Sequence, residues 1–536
     1  MIEQFPWLSL VPPVVTILLA IITRRVKLSL GLGIVAAALL VADFNPLQML
    51  AEIWNSFAAQ FWPDGEFDTY NLFILIFLVQ LGIITSLVLM SGGSAAFSDW
   101  AARRIHSRRG AQGLALILAF VLFIDDYFSA LAVGQVSRPI TDRHHVSRAK
   151  LAYIVDSTAA PMTVLVPFSS WGASIIGLLA PVVAASTLET SDFMTFVLAG
   201  FANYYGIAAL VLVVSVVVLQ LDIGRMREEE RRAIQHADLY EAGTEIPGEL
   251  SADLPIHDQG VKRALVVPFV ALVVAVVGSM YVSGWIVGGD PNPVEALGET
   301  MLTESLVLGG TVGLLLALFY YLRSTRDNDA FTLGTLGCGF WEGVKSMWPA
   351  ISILLLAWML GALISSLGTG EYLAKLVEDA ALPPVWLLPV MFIAAGFIAF
   401  STGSSWGSFG LLIPIAGEVM LNLGADDLLI ASLGAVLAGA VLGDHISPIS
   451  DTTILSATGS QANIITHVST QLPYAMIAAA SALGGYFIAA AANSVLAGLI
   501  GTLVIMALLV FVSNRMTTAL EVEIPKEDQA KHQRQS

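Results

Sequence analysis

Long apolar runs alternate with short polar interruptions along the whole chain, and eleven of them match the roughly 17–25 residues that a membrane crossing requires. They start near Phe5, Leu28, Asn71, Lys150, Phe193, Ala264, Thr303, Met347, Leu428, Leu472 and Leu496. Two further apolar segments, 112–137 and 385–418, do not read as simple spans. The first has Arg103, Arg104, Arg108 and Arg109 before it and Arg138, Arg143, Arg148 and Lys150 after it. A single crossing would leave one cluster outside, against the positive-inside bias. A re-entrant hairpin tipped by Asp125-Asp126-Tyr127 keeps both clusters on one side, and each arm is long enough at 1.5 Å per residue to reach the middle of the membrane. With the N-terminus outside and both segments folded as hairpins, 24 of the 25 Lys and Arg residues fall on the cytoplasmic side, leaving only Lys375 outside.

The pattern also repeats. A shift of 279 residues sets Leu81-Gly82 on Leu360-Gly361 and the tip Asp125-Asp126-Tyr127 on Ser404-Ser405-Trp406, while a shift of 288 sets Asp156 on Asp444. Each half then reads as a span, a polar-tipped hairpin and a broken helix, with the second hairpin opening to the opposite side. The tetrapeptide Ser-Ser-Trp-Gly at 169–172 and 404–407 does not superpose under either shift. The expected fold is an all-α polytopic membrane protein, with about eleven transmembrane helices plus two re-entrant hairpins. They form two inverted-topology repeats whose broken helices meet at the midplane, an architecture of secondary transporters. The expected division is 1–70 for two helices and a periplasmic loop, 71–220 for the first repeat (hairpin 112–137, broken helix 150–184) and 221–263 for a solvated cytoplasmic linker. Connecting helices take 264–346, the second repeat 347–513 (hairpin 385–418, broken helix 428–460), and a cytoplasmic tail 514–536.

Composition narrows the function. With 56% hydrophobic and 12% charged residues and a mean hydropathy of +0.78, the chain falls in the polytopic membrane class. The single Cys338 rules out an internal disulfide framework and a cysteine-based metal cluster. A net charge of −17 argues against a nucleic-acid partner. Phe5 to Ile22 follows no basic region and precedes no small-residue cleavage site, so it reads as a first span rather than a signal peptide.

The candidate chemistry sits where polar groups interrupt apolar sequence. Gly443-Asp444-His445-Ile446-Ser447-Pro448-Ile449-Ser450-Asp451-Thr452-Thr453 carries two carboxylates, an imidazole and hydroxyls between apolar flanks. An intramembrane carboxylate is penalised by about 2.5–3.5 kcal/mol, so it faces a partner, a cavity or an ion. Pro448 and Gly443 break a helix there, and Asp156-Ser157-Thr158-Ala159-Ala160-Pro161 is expected to open the first broken helix in the same way. Oxygen ligands suit hard cations. The ion-binding candidates are Asp125, Asp126, Asp156, Ser157, Thr158, Thr402, Ser404, Ser405, Asp444, Ser447, Asp451 and Thr452. Asp156, Thr158, Ser404 and Asp444 form the proposed Na⁺ set, and Asp156, Asp444, Asp451 and His445 are the proton-coupling candidates. Burial favours a protonated carboxylate and a bound cation favours an ionised one, so protons and cations compete for such sites. Structural alternatives stand beside these roles: Asp125 or Asp126 as a cap of a hairpin arm, Asp451 as a helix cap, His445 as a hydrogen-bond partner of an aspartate, and Trp171 and Trp406 as packing residues.

Phe123-Ile-Asp-Asp-Tyr-Phe, Asp156-Ser-Thr-Ala-Ala-Pro, Ser401-Thr-Gly-Ser-Ser-Trp-Gly and the 443–453 motif resemble the NhaC-type sodium/proton antiporter family over about Asn71 to Tyr474. The resemblance implies a multi-pass secondary transporter of the bacterial inner membrane that exports Na⁺ or Li⁺ in exchange for H⁺, with no cofactor and no enzymatic activity. It equally admits a Na⁺- and H⁺-coupled exchanger of organic acids or amino acids, so a small organic acid joins the lipid bilayer, small cations and protons among the expected partners, with a homodimer as the expected assembly. An intramembrane aspartyl hydrolase leaves the repeat and the hydroxyls unexplained, and a passive channel lacks proton coupling.

Overall fold

A computed structural model describes residues 4–240, 254–372 and 383–517, less 24, 63–64, 124, 168, 188–189, 294–295, 297–298 and 370, together with Lys375 and Leu520. The expected linker and tail therefore lie partly outside the described residues. Among those described, every regular element is a helix. The N-terminal part holds α1 (Val11–Thr23), α2 (Val26–Val41), α3 (Pro46–Ala58), α4 (Tyr70–Met90) and α5 (Gly93–Ala102). Next come α6 (Arg108–Val121), α7 (Asp126–Arg143), α8 (Arg148–Leu165), α9 (Ser170–Ala185), α10 (Asp192–Ala202), α11 (Tyr204–Leu219) and α12 (Gly224–His236). The second half holds α13 (Arg263–Gly288), α14 (Leu302–Thr325), α15 (Leu333–Ser366), α16 (Pro384–Thr402), α17 (Ser405–Asn422), α18 (Asp426–Ile446), α19 (Asp451–Ser460), α20 (Ile464–Ala492) and α21 (Val495–Met516).

Among the described residues, eight stretches are long and apolar enough to cross a membrane: α4, α11 continued into α12, α13, α14, α15, α18, α20 and α21. The protein is a multi-pass membrane protein. Other apolar runs are divided into shorter helices. The run from Phe193 forms α10 and α11, because Asn203 accepts a hydrogen bond from Gly206 N at 2.9 Å and starts a new helix. The 1–70 region contains a helix in place of part of its expected loop. α2 and α3 meet at 119°, with Pro46 opening α3 and Asn45 accepting from Leu47 N and Gln48 N. Leu47, Leu50 and Trp54 of α3 are 80%, 60% and 65% exposed, an apolar face that the rest of the described chain does not cover.

The first helix break falls later than the sequence predicts. α8 continues through Asp156 and Pro161 to Leu165, and the chain opens only around Pro167. Ser169 then accepts from Gly172 N at 2.9 Å and starts α9. A proline inside a membrane helix removes one hydrogen bond that neighbours can compensate, whereas a proline followed by a serine cap ends one helix and begins another. At the second break α18 runs through Gly443 to Ile446 and α19 begins at Asp451, so the interruption falls at Pro448 alone.

Small residues bring the short helices into close register. α7 runs alongside α19 in the same direction, with Tyr127 at Asp451 and Gly134 at Gly459, where a Cβ on Gly134 would stand 2.5 Å from the Gly459 carbonyl carbon. α9 runs alongside α17, with Trp171 against Trp406 at a 5.4 Å ring separation and Val182 against Gly417. The two copies of Ser-Ser-Trp-Gly are therefore partners in space. α17 folds back on α16, Ser408 Oγ donating to Ala395 O at 3.1 Å. α16 in turn packs on α18, where a Cβ on Gly443 would stand 2.1 Å from Gly396 O. Such backbone contact is how helices associate without a hydrophobic driving force between them.

The start of the linker is docked, which corrects the solvated reading. Met226, Glu229, Glu230, Ala233 and Ile234 of α12 are buried. Glu230 accepts from Ser147 N at 2.7 Å, at the start of α8, and pairs with Arg108 at the start of α6. Beside it Lys150 and Asp222 form a buried ion pair at 2.6 Å, and Tyr474 Oη donates to Leu221 O at 2.9 Å. The polarity that suggested solvation supplies partners for free helix-terminal N–H groups and buried cations.

Candidate functional site

The break between α18 and α19 builds a carboxylate cradle. Ser447 takes an extended conformation after Ile446, Pro448 cannot continue the ladder, and Ser450 caps α19 by accepting from Thr453 N at 3.3 Å. The turn brings Ser450 and Thr452 back onto Asp444. Ser450 Oγ donates to Oδ1 and Thr452 Oγ1 to Oδ2, both at 2.7 Å. Asp444 is 1% exposed.

Asp156, on α8, lies across Thr453 from this cradle. Thr453 Oγ1 reaches both Asp156 Oδ2 and the Asp444 carbonyl at 3.4 Å. Ser456 Oγ donates to Asp156 Oδ1 at 2.9 Å, and Gln471 Nε2 donates to Oδ2 at 2.6 Å. His467 Nε2 stands 3.4 Å and His445 Nε2 3.8 Å from the same Oδ2, inside ion-pair range although His467 is outside hydrogen-bond geometry. His445 is held by Ser157 Oγ at 3.1 Å on Nε2 and by Tyr205 Oη at 2.6 Å on Nδ1.

A third acidic group forms where α7 and α19 begin. Asp125 caps α7, accepting from Phe128 N at 2.8 Å. Asp126 Oδ1 accepts from Trp171 Nε1 at 3.0 Å, and among the described residues its buried Oδ2 has no hydrogen-bond partner. Asp451 accepts from Tyr127 Oη and, at Oδ1, from Thr452 N at 2.8 Å. Ser450, rather than Asp451, is the cap of α19. Asp126 lies within electrostatic reach of Asp125, Asp451 and Asp444, and Asp444 within reach of Asp451 and Asp156. Five carboxylates thus form one electrostatic cluster.

The remaining predicted hydroxyls are turned to backbone. Thr158 donates to Ile154 O and Val155 O, Thr402 to Ile398 O, Ser405 to Ala440 O and Ser447 to Phe400 O, while Ser404 caps α17 by accepting from Trp406 N. Of the predicted Na⁺ set, Asp156 and Asp444 come together; Thr158 bonds back to carbonyls within α8, and Ser404 caps α17. Among the described residues, no three His, Cys, Asp or Glu side chains converge at metal-ligand geometry. A cavity of about 570 Å³ reaches Asp451 and Tyr127 from the side of Gln60 and Asn71, with Thr402 and Ser404 on its wall.

Sequence reasoning does not single out Ser456, Tyr205, His467 or Gln471 as site residues. His467 and Gln471 carry a legible signal: they are four residues apart, so they share one face of a helix, and both are fully buried.

The sequence model of the Na⁺/H⁺ antiporter family matches residues 162–490. An uncharacterized protein of Haemophilus influenzae is 40% identical over 94% of this chain and 94% of its own length. An uncharacterized Na⁺/H⁺ antiporter of the same organism is 30% identical over 24% of this chain and 27% of its own. A malate-2H⁺/Na⁺-lactate antiporter of Bacillus subtilis is 32% identical, again over 24% of this chain and 27% of its own.

Proposed function

The chain belongs to the Na⁺/H⁺ antiporter family, a family of transporters rather than enzymes, and we propose that it exports Na⁺ or Li⁺ across the bacterial inner membrane in exchange for incoming H⁺, with no cofactor. Asp444 and Asp156 bind cation and proton in competition, and Asp451 and Asp126 extend the acidic path toward the cavity. The observation that carries this reading is the pair of buried aspartates at 444 and 156, joined by Thr453 and held by donors that stabilise an ionised carboxylate.

The α6–α7 and α16–α17 pairs act as re-entrant hairpins of two inverted repeats. The N-terminus lies outside and the C-terminus inside. The cavity beside Asp451 then opens outward, and the α12 docking contacts with α6 and α8 lie on the inner side. Alternating access follows from movement of the hairpins and broken helices against α4, α13, α14 and α15, with the protein embedded in lipid as a homodimer.

Proton flux in everted vesicles tests the exchange. Addition of Na⁺ or Li⁺ without an organic solute should drive proton movement that is lost in Asp444→Asn; wild-type flux in that variant would remove Asp444 from the mechanism. A second reading, a Na⁺- and H⁺-coupled exchanger of organic acids or amino acids, is favoured by the cavity, whose volume lies in the small-molecule range of about 300–1,000 Å³. The same assay with organic solutes separates the two readings.

A further inference from the structure

The cavity is larger than a bare cation requires, and its walls are of the wrong chemistry for one. A hard cation takes oxygens at about 2.3–2.6 Å, as Ca²⁺ does, whereas this space of about 570 Å³ is walled by the side chains of Tyr70, Tyr127, Trp358 and Trp406 beside Asp451. Aromatic faces replace a hydration shell poorly for a small inorganic ion. They attract larger, more weakly hydrated organic cations through the ring quadrupole. Asp451 is the only charged side chain among the described lining residues, and none of them is Lys, Arg or His. A carboxylate solute would therefore meet a like charge without a side-chain counter-ion.

The carboxylate is also pre-positioned. Tyr127 and Thr452 N hold Asp451 from the protein side, Trp358 interacts with the same group, and Asp451 remains 9% exposed where it borders the cavity.

We propose that this cavity binds an organic ammonium compound, with the ammonium head on Asp451 and the carbon skeleton against Trp358 and Trp406. The inference deepens the organic-solute reading above and rests on it for its place in a transport cycle. An amine and an amino acid share the recognised head, so the test includes both.

The experiment is isothermal titration of the full-length protein in liposomes with butylammonium, with leucine and with butyrate, alongside Na⁺-driven proton flux in the same preparation. Saturable binding of butylammonium, leucine or both, without binding of butyrate, is expected; which of the two binds tells whether the site tolerates a carboxylate on the solute. Asp451→Asn should abolish that binding, and Trp358→Ala should weaken it about twofold to thirtyfold while Trp358→Phe retains most of it. Binding of butyrate alone, or unchanged affinity in both Asp451→Asn and Trp358→Ala, overturns the assignment. Absence of ammonium binding while Na⁺ still drives proton flux defeats this inference and leaves the cation exchanger standing. Ammonium binding without flux from any cation defeats the exchanger and leaves the site.

Discussion

At the scale of single residues, the interior separates groups that hold a carboxylate from groups that hold the chain. Asp444 accepts two hydroxyl hydrogen bonds at 2.7 Å, so Asp444→Asn keeps the shape and turns one acceptor into a donor facing donors. One hydroxyl can rotate to accept, and the expected stability loss is about 1–3 kcal/mol, while exchange falls to background. Asp156→Asn should behave alike, because Ser456 and Gln471 both donate to it. Proton-flux assays beside thermal unfolding in detergent separate the two effects. The buried Lys150–Asp222 pair is structural by the same logic. Lys150→Met leaves Asp222 buried without its counter-ion and should destabilise by about 3–5 kcal/mol, whereas Lys150→Met with Asp222→Leu should recover most of that loss in the same unfolding assay.

At the scale of elements, the site depends on short helices that touch backbone to backbone. Gly134 and Gly459 let α7 approach α19 closely, and that approach places Tyr127 on Asp451. Gly459→Val should push the helices apart, separate this pair and lower exchange more than it lowers expression; flux normalised to folded protein checks it. The family resemblance and the 443–453 motif made the α18–α19 break legible, because Pro448 and a run of hydroxyls interrupt apolar sequence there. The α8–α9 break was not legible at Asp156–Pro161, because a proline alone does not end a helix when its neighbours supply the lost contacts. α12 was misread for a related reason. Its charged residues look solvated in isolation, yet Glu230 meets the start of α8 and Arg108.

At the scale of the whole molecule, the proposed topology places the α5–α6 and α7–α8 connections on the same side of the membrane. Cys338 is exposed, so the test starts from Cys338→Ser, with a cysteine introduced at Ser107 or at Arg143. Both positions should react with a membrane-impermeant maleimide only in everted vesicles; labelling of either in right-side-out cells would redraw the first half.

The sequence by itself determined the class, a multi-pass helical transporter, because apolar run length and the expense of intramembrane carboxylates are local properties of the chain. It also brought Asp156 and Asp444 forward as buried acids. Only the tertiary structure decided which hydroxyls face them, since Thr158, Thr402 and Ser405 are as polar as Ser450 and Thr452 but turn to their own or a neighbouring backbone. It alone supplied Gln471, Ser456 and His467 to Asp156 and an aromatic cavity to Asp451. Those groupings join helices far apart in sequence, and packing geometry, rather than local composition, sets which of their faces meet.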